Sequence, residues 1–288
     1  MSKDIFFDRV TVLGVGLIGA SFALALKRQK LCGHICGFGR KESNLVRARE
    51  MGIIDSFYLD PAKAVAGSGL VVFSLPVGLF VETAREIRTA LIADAVVTDV
   101  GSVKGKLVSR MEEMLSQRAS FVGGHPIAGS EKSGIETADP DLFRGRRCIV
   151  TETGNTSSSA LELIVSLWQH LGAKVEKMDP EEHDRVFGAV SHLPHVIAYE
   201  MINTIGEIDS SYLEYAGRGF ADVTRIASSS PELWRDICML NRDNLVRFID
   251  VFIGRLDRVK KDISSGEADR LKGEFGKAKA LRDGIGQD

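Results

Sequence analysis

The stretch Val10-Thr-Val-Leu-Gly-Val-Gly-Leu-Ile-Gly19, with the apolar run that continues to Leu26, decides the fold. A β-branched run that breaks into glycines and continues at helical spacing predicts a strand, a tight turn and a helix. The glycines fit G-x-G-x-x-G, in which the first permits the turn, the second admits a pyrophosphate and the third packs the helix on the strand. We therefore predict a dinucleotide site on the free N–H groups at the helix start, the alternative being a glycine-rich packing turn in another α/β protein. Its predicted residues are Gly14, Gly16, Leu17, Ile18 and Gly19.

Composition and charge exclude several classes of protein. The 288 residues suggest about two domains, and 44% hydrophobic with 26% charged residues is ordinary for a globular chain. A net charge of −2 with mixed signs leaves no basic field for nucleic acid and no polybasic membrane patch. The apolar run to Leu26 is glycine-broken and too short for a membrane span, and no positive region precedes it. We expect neither a nucleic-acid nor a membrane partner.

The four cysteines, Cys32, Cys36, Cys148 and Cys238, show neither a C-x-x-C pair nor histidine-rich spacing. This usage favours free, buried thiols over a disulfide framework or a metal site. We therefore expect no metal and a cytoplasmic protein.

The end of the second predicted strand, residues 34–38, bears on the choice of cofactor. An acid about 20 residues past the glycines normally binds the NAD ribose, but this chain has Gly39 there, followed by Arg40 and Lys41. Without the acid, a 2′-phosphate meets no repulsion, and Arg40 could pair with it. The alternatives are that Arg40 is a solvated loop residue, or that Glu42 replaces the acid. The chain is thus predicted to use NAD or NADP, with a slight preference for accepting NADP.

Further βα units follow, with predicted strands at 70–74 and 95–98 and a helix at 79–91, and this alternation is typical of a parallel sheet. Ligands collect beyond the carboxyl ends of such strands, so Ser74, Asp99 and Ser102 are predicted to face the cofactor crevice. The alternative for Ser102 is an ordinary helix N-cap.

The segment Phe121-Val-Gly-Gly-His-Pro-Ile-Ala-Gly-Ser-Glu-Lys-Ser-Gly134 places His125 after a short strand, among residues that favour irregular backbone. The ordinary pKa of histidine lies near neutrality, which makes His125 a candidate general base. A structural loop histidine is the alternative. Glu131, Lys132 and Ser133 are either loop polar residues or groups that support the site.

The remaining chain predicts two domains. A strand at 147–150, a helix at 160–171 and a strand at 174–178 complete a Rossmann-type α/β dinucleotide-binding domain, residues 1–178. Asp179-Pro-Glu-Glu182 is a helix start, and an all-α domain is predicted for residues 179–288. Its predicted parts are helices at 180–204 and 231–259, a loop at 215–220 and a final helix at 267–279.

Three polar residues at the start of the helical half carry expectations of their own. Pro194 interrupts the first predicted helix of that half and should turn His192 and His195 toward a pocket. We interpret His192 as a satisfied core histidine and Asp184 as an ion-pair or helix-surface residue.

Several segments in the same order resemble the prephenate/arogenate dehydrogenase family. They are Gly14-x-Gly16-x-x-Gly19, Asp99-Val-Gly-Ser-Val-Lys104, Gly124-His-Pro-Ile-Ala-Gly-Ser-Glu-Lys-Ser-Gly134, Val190-Ser-His-Leu-Pro-His195, Gly217-Arg-Gly-Phe-Ala-Asp-Val-Thr-Arg-Ile-Ala227, Leu233-Trp-Arg-Asp236 and Asn241. The resemblance implies oxidative decarboxylation of prephenate to 4-hydroxyphenylpyruvate in tyrosine biosynthesis, with arogenate as the alternative substrate. It also implies a homodimer formed through the helical domain.

The resemblance also implies roles for individual residues. His125 would take the hydroxyl proton, and Ser102 would hydrogen-bond near that hydroxyl and the nicotinamide. Arg225 would bind a substrate carboxylate, where its guanidinium fork fits. His195 would contact the side-chain end of the substrate, and Gly219 would belong to the substrate-binding loop. Arg218 departs from the glycine expected in that loop; inside the pocket it would favour prephenate, and facing solvent it would decide nothing.

Two other classes of function are alternatives. A 6-phosphogluconate-type or other hydroxy-acid dehydrogenase shares the domain order but typically uses a lysine in the helical domain, where this chain offers His192 and His195. A nucleotide-sensing module would keep the glycines without needing Ser102, His125 and Arg225 together.

Overall fold

The structure, a computed structural model, describes residues 5–128 and 134–285. Its first part is an eight-stranded sheet with helices between the strands. The strands are β1 (Phe7–Leu13), β2 (Cys32–Phe38), β3 (Ser56–Tyr58), β4 (Leu70–Phe73), β5 (Ala95–Asp99), β6 (Ala119–Pro126), β7 (Arg147–Thr151) and β8 (Lys174–Met178). The helices are α1 (Leu17–Arg28), α2 (Glu42–Glu50), α3 (Pro61–Val65), α4 (Phe80–Ile87), α5 (Gly105–Leu115) and α6 (Ser158–His170). The spatial order β3-β2-β1-β4-β5-β6-β7-β8 is that of a Rossmann-type sheet extended at one edge.

The sheet is parallel from β3 to β6, as the alternation of strands and helices predicts. Between β6 and β7, a pair whose direction the sequence did not predict, the strands pair antiparallel, with His125 opposite Ile149. The described parts of their connection, residues 127–128 and 134–146, contain a 3₁₀ turn at Ile135–Thr137 and no α-helix. A parallel pair would need a crossover connection, usually a helix, whereas an antiparallel pair does not, so this connection fits the antiparallel pairing.

Apolar side chains cover both faces of the sheet. On one face Trp168 of α6 packs edge-on against Phe22 of α1 and against Phe143, with ring centroids 5.3 and 5.1 Å apart. On the other, Phe73 of β4 contacts Phe80 of α4 at 5.2 Å. Strands buried on both faces are apolar throughout, which is why β4 has the sequence Leu-Val-Val-Phe.

Beyond β8, every element in the described part of the chain is helical. The helices are α7 (Pro180–Phe187), α8 (Leu193–Asp209), α9 (Arg218–Thr224), α10 (Pro231–Leu240), α11 (Arg242–Ser264) and α12 (Ala268–Asp283). Asp179 caps α7, since its Oδ1 accepts from the N–H groups of Glu181 and Glu182. The chain forms two compact units, residues 1–242 and residues 243–288. The predicted domain boundary at residue 179 stays a prediction.

Three details of the helical half differ from the predictions. The predicted helix 180–204 is interrupted by a π-helical turn, Gly188–His192, just before Pro194, which lacks an N–H to donate. The predicted loop at 215–220 contains the start of α9. The predicted helix 231–259 breaks at Asn241, because that side chain hydrogen-bonds to Asp184 and His192 instead of continuing a helix surface.

All four cysteines are free; Cys36 and Cys148 are buried as predicted, whereas Cys32 and Cys238 are half-buried. Within residues 5–128 and 134–285, no helix is both long and apolar enough to cross a membrane.

Candidate active site

The three glycines after β1 have the distinct geometries that the sequence predicts. Gly14 has φ +101°, and a Cβ there would overlap the backbone of Ser74, so only glycine fits. A Cβ on Gly19 would overlap the carbonyl oxygen of Gly14 and lie 3.0 Å from Val12, which shows how closely α1 packs on the turn. At Gly16 a Cβ would have no neighbour within 4 Å. The loop thus leaves open space where a pyrophosphate would approach.

The N-terminus of α1 can accept an anion. No side chain caps this helix, and its first turn holds no acidic residue. The N–H of Ala20 donates to the carbonyl of Gly16 at 2.8 Å, so the preceding N–H groups of Leu17, Ile18 and Gly19 lie outside the helical ladder. Free N–H groups at the positive end of a helix dipole suit a diphosphate. The residues present therefore fit a dinucleotide.

The region expected to meet the adenosine ribose carries no carboxylate at the end of β2. Gly39 follows the strand, Arg40 is exposed, and Glu42 is the first residue of α2. The side chain of Asn44 donates to the carbonyl of Val15 at 3.0 Å and ties α2 to the glycine loop. Both the Arg40 and the Glu42 interpretations are compatible with this arrangement.

A buried ion pair fixes the segment between β5 and α5. Lys104 is 0% and Asp99 is 1% exposed, and Lys104 Nζ lies 2.6 Å from Asp99 Oδ2 and 2.7 Å from the carbonyl of Gly101. Asp99 Oδ1 accepts from the N–H of Gly124 at 3.0 Å, which joins this segment to β6. Asp99 is therefore buried and joins this segment to β6. The prediction that it faces the cofactor crevice is wrong.

The alternative prediction that Ser102 caps the next helix is wrong. The ammonium of Lys104 instead holds the carbonyl of Gly101, and α5 starts only at Gly105, with Lys104 at the N-cap position.

His125 lies near the carboxyl end of β6, partly accessible, and begins a chain of hydrogen bonds. Its Nδ1 is 2.8 Å from Nε2 of the fully buried His183, and His183 Nδ1 is 2.9 Å from Asp184 Oδ1. The same carboxylate oxygen accepts from the N–H of Lys104 at 2.7 Å. Sequence reasoning missed His183 and placed Asp184 on a helix surface or in an ion pair. The adjacent His-Asp at the start of α7 was the available signal.

The surroundings of this hydrogen-bond chain keep His125 and His183 neutral. Burial, together with His183 and the Lys104 ammonium, holds the pKa of His125 well below its usual 6.5. Burial lowers the pKa of His183 to about 2 and raises that of Asp184 to about 6. At neutral pH the Asp184 carboxylate is mostly ionised and the His125 imidazole is neutral, the form that can accept a proton.

His192 is the satisfied core histidine that the sequence predicts. Its Nε2 donates to the carbonyl of Ser102 at 3.2 Å, and its Nδ1 lies 3.0 Å from Nδ2 of Asn241. Asn241 Nδ2 also donates to the carbonyl of Asp184 at 2.8 Å. Burial lowers the pKa of His192 to about 4. The backbone that carries Ser102 is therefore held by residues of the helical half.

His195 and Arg225, both predicted to bind substrate, lie close enough for the charge of Arg225 to affect the pKa of His195. His195 stacks on Trp234, with centroids 3.6 Å apart and planes at 19°, and its Nδ1 donates to the carbonyl of Ser191 at 2.9 Å. Burial and, secondarily, the charge of Arg225 lower the pKa of His195. Trp234 also contacts His192 edge-on at 6.0 Å, which connects His195 to the Ser102 segment.

Other predicted site residues are placed less closely. Ser74 lies beside the glycine loop, with its Oγ 3.0 Å from the Cβ that Gly19 would carry. Arg218 and Gly219 are exposed at the start of α9. Glu131, Lys132 and Ser133 lie outside the described residues.

Comparison with known proteins gives matches over nearly the whole chain. The family model of the prephenate dehydrogenase nucleotide-binding domain matches residues 22–177, and that of the prephenate dehydrogenase dimerization domain matches residues 179–277. A prephenate dehydrogenase of Bacillus subtilis is 34% identical over 96% of this chain and 76% of its own length. A cyclohexadienyl dehydrogenase of Zymomonas mobilis is 31% identical over 96% of this chain and 95% of its own length.

A solved structure supports the same assignment. The crystal structure of a prephenate dehydrogenase from A. aeolicus, in complex with hydroxyphenyl propionate and NAD+, has a TM-score of 0.92 and 38% identity. The match covers 99% of this chain and 100% of that one. The chain belongs to the prephenate dehydrogenase family.

Proposed function

We propose that this protein catalyses the NAD-dependent oxidative decarboxylation of prephenate to 4-hydroxyphenylpyruvate, a step of tyrosine biosynthesis. The observation that carries the proposal is His125, a neutral and partly accessible imidazole at the end of β6, in a chain that also has an open glycine loop. The B. subtilis relative is named a prephenate dehydrogenase, and the A. aeolicus structure contains NAD+ and hydroxyphenyl propionate.

The residues present can divide the chemistry among them. NAD, when bound, accepts the hydride from the ring carbon that bears the hydroxyl. His125 Nε2 takes the hydroxyl proton, and the Ser102 hydroxyl orients that group. Arg225 binds a substrate carboxylate in a bidentate pair, near the His195 imidazole that contacts the substrate side chain. The ketone that develops withdraws electrons from the ring carboxylate, and loss of carbon dioxide restores an aromatic ring.

The test follows the absorbance of reduced nicotinamide when purified protein receives NAD and prephenate, with identification of 4-hydroxyphenylpyruvate in the product. Arogenate and a panel of 3-hydroxy acids are assayed in parallel. Turnover of a 3-hydroxy acid without turnover of prephenate would support the hydroxy-acid alternative. Absence of turnover with every substrate, although NAD binds, would support a nucleotide sensor.

Arogenate remains a second candidate substrate, because the Z. mobilis relative is named a cyclohexadienyl dehydrogenase. Arg218 favours prephenate if its guanidinium enters the pocket, since a positive charge attracts the pyruvyl carboxylate and repels the ammonium group of arogenate. The ratio of kcat/KM for prephenate over arogenate should then fall in Arg218→Ala. An unchanged ratio would mean that Arg218 faces solvent and takes no part in the choice.

For the cofactor we propose that the chain uses NAD and also accepts NADP. Gly39 removes the carboxylate that would repel a 2′-phosphate, and the exposed Arg40 can pair with that phosphate. An exposed pair contributes at most about 1 kcal/mol, so the preference for NADP should stay within about tenfold. Comparing kcat/KM for both cofactors in the wild type and Arg40→Ala tests this. Strict use of NAD, untouched by the substitution, would contradict it.

We also propose a homodimer formed through the helical domain. The matching family model for residues 179–277 is described as a dimerization domain. On α11, Val246, Val251, Ile253 and Leu256 are each at least half exposed, which is unusual for an amphipathic helix without a partner. Light scattering should give twice the chain mass of 31.4 kDa. A particle of one chain mass at micromolar concentration would contradict the dimer.

A further inference from the structure

We propose that His183 and Asp184 are positioning residues that hold His125 in a single tautomer, with its proton on Nδ1 and the Nε2 lone pair free for the substrate. The assignment of the substrate proton rests on the function proposed above. The tautomer itself follows from the donors and acceptors of the described residues.

The carboxylate of Asp184 sets the direction of the first hydrogen bond. Asp184 Oδ1 accepts from the backbone N–H of Lys104 at 2.7 Å, and an ionised carboxylate has no proton to donate. Asp184 is ionised above about pH 6, where its raised pKa lies. The contact of 2.9 Å between Asp184 Oδ1 and His183 Nδ1 is therefore a hydrogen bond in which His183 donates.

That hydrogen bond in turn fixes the proton positions on the two imidazoles. His183 is neutral, because burial lowers its pKa to about 2, so a proton on Nδ1 leaves Nε2 with a lone pair. That lone pair faces Nδ1 of His125 at 2.8 Å, and only a proton on His125 Nδ1 makes this contact a hydrogen bond. His125 is neutral as well, so its Nε2 is left as a proton acceptor.

The rings are also held in place by packing. Phe187 contacts His183 with centroids 4.5 Å apart and His125 with centroids 4.9 Å apart, so one aromatic side chain constrains both imidazoles. His183 is fully buried, where an apolar side chain would avoid the cost of desolvating two polar nitrogens. A buried, hydrogen-bonded polar side chain has this desolvation cost, but it can hold a reactive group in one orientation, which an apolar side chain cannot do.

The arrangement stays consistent when His125 takes a proton. Nε2 gains the hydroxyl proton and the ring becomes an imidazolium, whose Nδ1–H still donates to His183. Ionised Asp184, one imidazole away, stabilises the positive charge without itself being protonated. Loss of carbon dioxide leaves the ring oxygen as a phenolate, and His125 Nε2 returns the proton to it, which restores the starting tautomer.

The experiment measures the tautomer directly, by long-range ¹H–¹⁵N NMR of protein labelled at the histidine rings, with the His125 signals assigned by their loss in His125→Asn. In the wild type we expect the His125 proton on Nδ1. His183→Gln should keep it there, because the amide oxygen can accept from Nδ1, whereas His183→Leu should move a large share of it to Nε2. As the matched control, His170→Gln removes a histidine of α6 that bonds within its own helix, to Ser166. It should leave the His125 signals and the turnover unchanged.

Turnover provides the second measurement. His183→Leu should lower kcat at least about 10²-fold with KM within a few-fold, and His183→Gln should regain at least tenfold of the loss. A wild-type proton on Nε2, or equal kcat in His183→Leu and the wild type, would overturn the proposal. If His183→Leu does not fold, the proposal is still tested by the tautomer of the wild type and by the tautomer and kcat of His183→Gln. The expected NMR result without turnover of prephenate would refute the proposed function and leave the positioning role standing.

Discussion

Lowering the pH from about 7.5 to about 5.5 should destabilise the fold, because His183 and His192 are buried in their neutral forms and the pKa of the partly accessible His125 is also held well below its usual 6.5. In the folded state the pKa is about 2 for His183 and about 4 for His192, against 6.5 for an ordinary histidine. The unfolded chain therefore binds more protons than the folded chain below pH 6.5. Each proton bound only by the unfolded chain favours unfolding, so stability is lost as the pH falls through that value.

The magnitude follows from proton linkage. Each of the three histidines contributes about 1.3 kcal/mol over this interval, or about 4 kcal/mol together. Burial raises the pKa of Asp184 to about 6, so the folded state gains a proton there as the pH falls, which offsets about 1 kcal/mol. Burial raises the pKa of Asp99 in the same direction. The net loss from these five groups should be at most about 3 kcal/mol, and the lowered pKa of His195 adds to it in the same direction.

Urea unfolding at both pH values measures this loss. His183→Gln and His192→Gln should each reduce the pH-dependent difference by about 1 kcal/mol, with the stability of each variant at the higher pH serving as its own reference. A wild-type difference well below 1 kcal/mol would refute the idea that these histidines are neutral in the fold. Differences in both variants that equal the wild-type value would assign the acid sensitivity to other groups.

Three further substitutions test the site. His125→Asn should lower kcat at least about 10²-fold while calorimetry shows NAD binding within a few-fold of the wild type, and unchanged turnover would remove His125 from the reaction. Arg225→Ala should raise KM at least about tenfold with a smaller effect on kcat, and an unaltered KM would refute its contact with a carboxylate. Gly14→Ala should cost more than about 2 kcal/mol in a thermal melt, from a strained φ and overlap with Ser74. Gly16→Ala is its matched control: it should leave the melt unchanged and weaken NAD binding, and equal melts for the two variants would contradict the assigned geometries.

Local patterns predict most of the fold because each element is specified by its own residues. The glycine geometry after β1, the end of β8 at Met178 and the cap at Asp179 all depend on side chains within a few positions of one another. The antiparallel pairing of β7 does not depend on such local residues, because the sequence of a short apolar strand does not indicate its direction in the sheet. The late start of α5, beside an ammonium that folds back onto the carbonyl of Gly101, is likewise not revealed by spacing alone.

The site follows the same division. His125 stands out locally because a histidine in a glycine-rich segment after a strand is a poor core element. In the sequence, His183 and Asp184 look like ordinary polar residues near a helix start. Their proposed role is visible only in the fold, where α7 brings them into contact with His125 of β6 and with Lys104. Asn241 is similar, since its partners Asp184 and His192 lie 57 and 49 positions earlier in the chain. Residues that act through another side chain leave little trace in a sequence pattern.

Acid sensitivity and reactivity have one cause in this site. Burial keeps the imidazoles of His125 and His183 neutral, and that neutrality makes Nε2 of His125 a proton acceptor while making the unfolded chain the better proton binder below pH 6.5. Replacing His183 with an apolar residue should therefore make the fold less acid-sensitive and the reaction slower at once. At an active site, a buried polar side chain is expected to lower stability while it supports the reaction. Opposite changes in acid stability and in kcat, measured on the same His183→Leu protein, would be the direct sign of that trade.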